Sequence, residues 1–433
     1  MSDFPNILVI ANCCFSKTDS NGRTLANLFT YWPKEKIADF FVTPVDIDFE
    51  RCSNYYCISD SEVIKSLTHF STLKSRPIDK GIQKNAPNGR QKIRKKTPLK
   101  AILRNLAWSI VNWKTKEFED WLDSFNPEVI LLMNSDAIFV LRIAEYISNS
   151  RNIPIVIFNT EGFYFLKKNC MYQGFLGDTL YRLYQSFYRR AYEDIMRQSS
   201  YSFYLNGLLK EDYDKAFNQP NSVLYTASNI NVRKEGFNQE HPRFCYIGNF
   251  GYKRYEVLIE VGKVLNSIDK NYILEIYGNP LPEIEKKFKE SVGIEYRGML
   301  NYQQVLETMT SCDVLFHVES QDEELQDVLR YGFSTKIADS ITTGTPFVIY
   351  ASPDIACSRY IKDTNAGWQV SNPGELKEII IKIINNSTER EIIKKNSMIV
   401  AKENHSVEEV CKKFNETITD IVELRKKNQT NNK

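Results

Sequence analysis

The sequence predicts an α/β protein built from two parallel-sheet domains. Short apolar runs that end in glycine or polar loops alternate with helical patterns along the chain. The alternation starts afresh near His241, after a stretch from Pro220 to Pro242 rich in Asn, Gln, Ser and Pro. A length of 433 residues suits two domains. Hydrophobic residues at 42% and charged residues at 25% describe a globular chain that can bury a core in each half.

In the first half, residues 6–11 read as a buried parallel strand. A polar, glycine-containing loop from Ser16 to Gly22 follows, then a helix from Arg23 to Phe29. Strand, glycine loop and helix open a Rossmann-like nucleotide-binding unit. Residues 39–45, 128–133, 154–158 and 201–205 read as further strands. In the second half, residues 243–248, 272–277, 313–318 and 346–350 read as strands separated by helical pattern. Alternation of this kind implies right-handed crossovers. The expected division is 1–230, 231–404, and a C-terminal helix over 405–433 packing back on the first domain.

Between Lys80 and Lys116 stand eleven Lys or Arg and no acid, within a chain of net charge +2. Such a one-sided run is a solvated loop or a contact with an anionic partner. Thr97 and Pro98 suit a helix start, and Leu99, Ile102, Leu103, Leu106, Ile110 and Trp113 follow at helical spacing. The apolar stripe of that helix is expected to pack into the first domain. Peripheral contact with an anionic membrane is assigned to the loop before it, within Lys80–Lys116. No nucleic-acid module accompanies the basic run, so nucleic acid ranks lower.

The N-terminus has no basic region ahead of its short apolar run, and no segment approaches the ~20 apolar residues of a membrane span. The nine cysteines lack C-x-x-C spacing. A reducing cytoplasm, peripherally at the inner face of the membrane, is the expected location.

The segment with most chemistry runs from Phe333 to Pro346. Ser334, Thr335 and Lys336 open a helix that Gly344 ends. Unpaired amides and a partial positive charge make a helix N-terminus suited to phosphate. Ser334 and Thr335 either cap the helix or donate to phosphate, and Lys336 adds a point charge. Asp339 is either a ribose ligand or a solvated helix residue. Gly248 and Asn249 form a turn after a strand, with Lys253 and Arg254 behind it as candidate diphosphate cations or ordinary surface charges. His317 stands in an apolar strand beside Glu319, as a core histidine or a site residue. His69, His241 and His405 have no motif around them. Two Asp-x-Asp triplets, at Asp46 and Asp48 and at Asp212 and Asp214, read as solvated acids, and no metal site is expected.

Tyr246-Ile-Gly248, Leu274-Glu-Ile-Tyr-Gly278, Tyr296-Arg297-Gly298, Cys312 to Ser320, and Phe333, Asp339, Gly344 and Pro346 occur in that order. In this the sequence resembles the donor half of family-4 retaining glycosyltransferases of the GT-B fold, over about 241–385. The residues from Ser20 to Leu28 are similar to the family's first glycine loop and helix. The resemblance implies two Rossmann-like domains facing across a cleft and a UDP- or GDP-linked sugar as donor. It also implies a glycan or lipid-linked acceptor in surface polysaccharide or glycoconjugate synthesis, and no required cofactor. Asp339 takes the place of the family's ribose-binding acid. Tyr331 stands where the family's other acid contacts the sugar, so Glu319, Glu323 or Glu324 would replace it. Asn249 stands where the family often has arginine, which places the phosphate on Lys253, Arg254 and Lys336. Gly22 would let the first domain's backbone approach the phosphate, and Arg297 joins the donor set. His317, Glu319, Lys253 and Lys336 are the catalytic candidates.

An epimerase of the same fold and a non-catalytic sugar-nucleotide-binding protein are the alternatives. A dinucleotide oxidoreductase ranks last, because no G-x-G-x-x-G follows the first strand.

Overall fold

A computed structural model describes residues 4–431 apart from 18, 44–45, 70, 74, 79–95, 170 and 172–175. The basic loop expected to meet a membrane, including Arg94 and Lys95, lies almost wholly outside the described residues. The chain forms two compact units, Met1–Tyr225 with Val410–Lys433, and Thr226–Glu409.

The first unit holds a sheet of eight strands: β1 (Ile7–Ala11), β2 (Ile37–Phe41), β3 (Asn54–Cys57), β4 (Arg76–Ile78), β5 (Val129–Met133), β6 (Ile155–Asn159), β7 (Tyr201–Tyr204) and β8 (Asn221–Val223). Their order is β4-β3-β2-β1-β5-β6-β7-β8. All pairs are parallel except β3 with β4. Every residue of β1, β2, β5 and β6 is buried, as strands covered on both faces must be. The strand expected over 39–45 lies earlier, at β2, where its register with β1 buries Ile37 and Ala38 as well.

The last element, Val407–Asn431, gives most of its length to this unit. Phe414, fully buried, packs on Phe29 at 5.1 Å, Trp32 at 5.8 Å and Phe203 at 5.8 Å between ring centroids. Burying one such side chain contributes about 1.5–3 kcal/mol.

The helix Pro98–Ile110 is capped as its sequence indicates, with Thr97 Oγ1 accepting from the Lys100 amide and Pro98 in the first turn. Its apolar stripe, however, does not pack inward. Ala101 and Trp108 face the core, and Leu99, Leu103, Leu106 and Ile110 face solvent. Two tethers select this rotation. Trp108 Nε1 donates to Asp60 Oδ1 at 2.9 Å, and Arg104 binds Asp60 through Nε at 2.9 and 3.0 Å.

Among the described residues, one acid of this unit is wholly buried. Asp39, on β2, accepts from the Phe15 amide at 3.1 Å through Oδ2, and Oδ1 has no hydrogen-bond partner. Burial pushes its pKa well above the ordinary value. The folded state then holds a proton that the unfolded chain releases above its own carboxyl pKa, so this residue's contribution falls as pH rises from there towards the raised pKa. Asp39→Asn should therefore raise unfolding free energy at neutral pH by about 1–3 kcal/mol, the scale of a buried unmet polar group, and by less in acid. Equal effects in urea titrations at both pH values would refute it.

The second unit holds six parallel strands: β9 (Phe244–Ile247), β10 (Leu274–Tyr277), β11 (Ile294–Tyr296), β12 (Val314–Val318), β13 (Phe347–Tyr350) and β14 (Trp368–Val370). Their order is β11-β10-β9-β12-β13-β14. The core gathers Phe244, Leu258, Leu274, Phe316, Val348 and Ile380 from strands and helices alike. The α/β architecture of two parallel-sheet domains is thus as the sequence predicts. The stretch read as a linker is not loose. Arg233, buried, pairs with buried Asp313 at 2.6 Å and also donates to the carbonyls of Glu235, Gly236 and Cys312. This fastens 233–238 onto the second unit.

Candidate functional site

In an open parallel sheet, ligands bind beyond the carboxyl ends of the strands where strand order reverses. In the second unit that point lies between β9 and β12, since β10 and β11 extend to one side and β13 and β14 to the other. The residues after β9 begin with Gly248 and those after β12 with Glu319.

Gly248 donates its amide to Tyr277 O at 3.0 Å, joining the ends of β9 and β10. The two loops touch: a Cβ on Gly278 would lie 2.2 Å from Gly248 O. Asn249 shapes the turn, its Oδ1 accepting from the Gly251 amide at 3.2 Å and from Arg254 Nη1 at 2.6 Å. Tyr252 and Lys253 both take left-handed backbone, φ 52° and 57°, and the helix Arg254–Ile268 starts there. The chain thus turns sharply enough to send Arg254 back over the strand ends.

Arg254 meets Glu319 in a two-point pair, Nε to Oε2 at 2.8 Å and Nη2 to Oε1 at 2.9 Å. The side chains are only 12% and 5% exposed. His317 Nε2 lies 3.1 Å from Glu319 Oε1. Burial pushes the Glu319 carboxyl up, and the hydrogen bond and charge of His317 together with the Arg254 guanidinium more than reverse it, leaving its pKa below the ordinary value. Glu319 is therefore a carboxylate held on both oxygens. Lys253 is more exposed and pairs with Asp322, which raises its pKa. Lys253, Glu256, Glu260, Lys263, Ser320 and Asp322 line a cavity of about 470 Å³.

The third part is the helix Thr335–Thr343. It runs back from the carboxyl edge of the sheet to β13, so its N-terminus lies on the same edge as Gly248 and Glu319. Ser334 caps it, accepting from the Lys336 amide at 3.3 Å, and Gly344 ends it in left-handed backbone. Thr335 and Lys336 are half-buried and the first turn carries no acid. Asp339, one turn in, accepts from Ser228 Oγ at 2.6 Å through Oδ1. Phe333 anchors the helix entrance, packing edge-on against Tyr360 at 5.2 Å and stacking on His405 at 6.4 Å.

This geometry lies within the matched part of the chain. Residues 228–400 match the family model described as glycosyl transferases group 1. The match spans most of the second unit. No functionally curated protein matches the chain by sequence. Among solved structures it is similar to HepE from Anabaena in complex with UDP and glucose, at 14% identity and TM-score 0.60, covering 96% of this chain and 99% of that one. It is similar to sucrose-phosphate synthase from Thermosynechococcus elongatus at 10% identity and TM-score 0.62, covering 97% and 99%. A third is WaaG, a glycosyltransferase involved in lipopolysaccharide biosynthesis, at 15% identity and TM-score 0.51, covering 96% and 99%. The shared architecture is the GT-B fold.

The second unit distributes the sequence-predicted residues unevenly. Gly248, Asn249, Lys253, Arg254, His317 and Glu319 gather at the reversal point, and Ser334, Thr335, Lys336 and Asp339 share the same sheet edge. Arg297 does not join them. It stands after the outer strand β11, two strands from β9, paired with Glu295 at 2.9 Å and Glu275 at 3.5 Å. Tyr331 is buried, with Arg330 over its ring at 5.5 Å. Glu323 and Glu324 are exposed. Glu319, expected as a sugar-contacting acid, is already occupied on both oxygens by Arg254.

Gly22 is closely packed within its own unit. A Cβ there would lie 2.5 Å from Cys14 O and 2.8 Å from the Ser16 amide. The missing side chain thus lets the helix Ser20–Leu28 close against the loop after β1 inside the first unit. Of the acid triplets, Asp212 pairs with Lys215 and Asp214 with Lys210, and Asp48 caps the Glu50 amide. Among the described residues no group of three His, Cys, Asp or Glu could hold a metal ion. His405, which no motif marks, is fully buried, bonded to Thr226 O at 2.9 Å and Tyr360 OH at 2.9 Å. The helix start at Ser334 and the turn at Gly248 were the local sequence signals for the second unit's site. Nothing in the sequence signals the Ser228–Asp339 bond, which spans 111 residues.

Proposed function

We propose that this protein is a retaining glycosyltransferase that moves a sugar from a UDP- or GDP-linked donor to a glycan or lipid-linked acceptor. The observation that carries the reading is the placement of a capped, acid-free helix start, with Lys336, on the same sheet edge as the Gly248 turn, inside the part matched by the family model. Departure of a nucleoside diphosphate builds negative charge on the leaving oxygen. The Thr335 amide, the positive end of the helix and the Lys336 ammonium would stabilise that charge, with Lys253 joining if the diphosphate displaces Asp322 from it. Arg254, committed to Glu319, would shape the pocket floor and leave little net charge there. The acceptor hydroxyl would attack from the face the diphosphate leaves, and its proton would pass to the departing phosphate.

The ribose of the donor is assigned to Asp339, where it shares the carboxylate with Ser228. UDP is the first nucleotide to try, and GDP the second. Asp339→Ala should weaken nucleoside diphosphate binding by about 1–3 kcal/mol, and Lys336→Ala should lower turnover more than stability. Calorimetry with the wild type, Asp339→Ala and Ser228→Ala separates the roles. Unchanged affinity in Asp339→Ala would remove the ribose assignment. An equal loss in Ser228→Ala would mean that the acid acts by holding Ser228. Failure of the wild type to bind or turn over any nucleotide-sugar would refute the enzyme reading.

A further inference from the structure

Two neighbouring helices of the first unit expose apolar stripes that nothing among the described residues covers. On Pro98–Ile110, Leu99, Leu103, Leu106 and Ile110 recur at i, i+4, i+7 and i+11 and are 44–63% exposed. Four large aliphatics on one face of a 13-residue helix exceed the scattered exposure of an ordinary surface. The helix Gly177–Gln198 packs beside it, with Asn105 Nδ2 reaching Tyr184 OH at 3.5 Å. It exposes Leu183 and Phe187 one turn apart, and Leu176 just ahead of it.

Charge accompanies both stripes. Lys100 is exposed beside the first. Beside the second, Lys167, Arg182, Arg189 and Arg190 line a cavity of about 670 Å³ in which Glu193 is the one acid among the lining residues. Glu193 is occupied by Tyr164 OH at 2.8 Å. Arg189 is fixed through the carbonyls of Tyr164 at 2.9 Å and Leu166 at 3.1 Å. Carbonyls leave its positive charge uncancelled. A row of aliphatics next to a cavity lined by four cations and one acid matches one surface chemistry, acyl chains below anionic headgroups.

We propose that the helices Pro98–Ile110 and Gly177–Gln198 form a docking face for an anionic lipid bilayer, with the leucines entering the acyl boundary and the Arg182–Arg190 cavity receiving lipid phosphate. The helices lie in the interface plane and do not cross it. Among the described residues no helix is long and apolar enough to span a membrane. The face is independent of the donor chemistry, so its test does not depend on turnover.

The test is co-sedimentation of the full chain with vesicles of equal parts phosphatidylglycerol and phosphatidylcholine, and with pure phosphatidylcholine. The wild type is expected to bind the anionic vesicles, less at high salt. The double variant Leu103→Gln/Leu106→Gln should lose about tenfold or more, the scale of two leucines returned to water. Arg182→Ala/Arg190→Ala should lose about thirtyfold, at about 1 kcal/mol per cation near the surface. All four positions are exposed, so the melting temperature should not move, and a circular-dichroism melt checks this. Equal binding by wild type and the leucine variant would overturn the proposal. So would a wild type that binds neither vesicle. A wild type that is dimeric in sedimentation, monomeric in the leucine variant and unbound to vesicles would also overturn it, and would give the face to a second copy of the chain.

Discussion

Replacing Arg254 with alanine should cost the second unit about 3–5 kcal/mol of stability, the usual penalty for stranding one partner of a buried ion pair. Glu319 would keep its burial and its bond to His317 while losing the guanidinium that meets both its oxygens. The double variant Arg254→Ala/Glu319→Gln should recover most of that loss, because an amide costs less to bury than an unpaired carboxylate. Urea unfolding of the two variants against wild type checks the stability claim. A single variant as stable as wild type would show that Glu319 finds another partner or water. Turnover divides the outcomes further. If the double variant folds but does not transfer, Arg254 also faces the donor. If it transfers, the pair is a scaffold for the turn at Gly248.

The second large effect is on pH. Burial pulls the His405 pKa down from 6.5 to about 4. The folded state therefore binds fewer protons than the unfolded chain between those values. Its contribution is complete above pH 6.5 and is lost as pH falls towards about 4. At about 1.4 kcal/mol per pKa unit, the loss amounts to about 3 kcal/mol. This window lies above that of the buried Glu319, whose depressed pKa removes stability only below the ordinary carboxyl range. Unfolding free energies from about pH 7 to about pH 4.5 should slope steeply in the wild type and less in His405→Gln. Parallel slopes would mean that His405 stays neutral in both states or is charged in both.

These two residues show what a sequence can and cannot disclose. The central strands are legible because strands buried on both faces are continuous apolar runs, as at Ile7–Ala11 and Val314–Val318. The short strands Asn54–Cys57, Asn221–Val223, Ile294–Tyr296 and Trp368–Val370 are too brief for any period to show, and all but the first and last of these have no fully buried residue. Gly248, Lys336 and Asp339 could be picked out because a helix start and a glycine turn are local features. The pairing of Arg254 with Glu319 could not, since it joins residues 65 positions apart. Both side chains were visible as candidates, and the sequence offered no sign that each would satisfy the other. The stripe from Leu99 to Ile110 is a third kind of case. Periodicity defines the face and leaves open whether anything covers it. The tethers at Asp60 decide that, and they turn it outward.

The last helix has a consequence for how the chain is made. Phe414, Ile418 and Cys411 complete the core of the first unit, the thiol reaching Asn27 O at 3.1 Å. Yet residues 226–409 are synthesised between the two parts of that core. On the ribosome, the unit begun first is finished last. The second unit has its whole sequence available before residue 410 emerges, while the first waits with Phe29 and Trp32 uncovered until the final helix arrives. Domains usually fold from the N-terminus onward during synthesis. Here the order of completion is reversed, and the growing chain carries an unfinished apolar surface through nearly half its length.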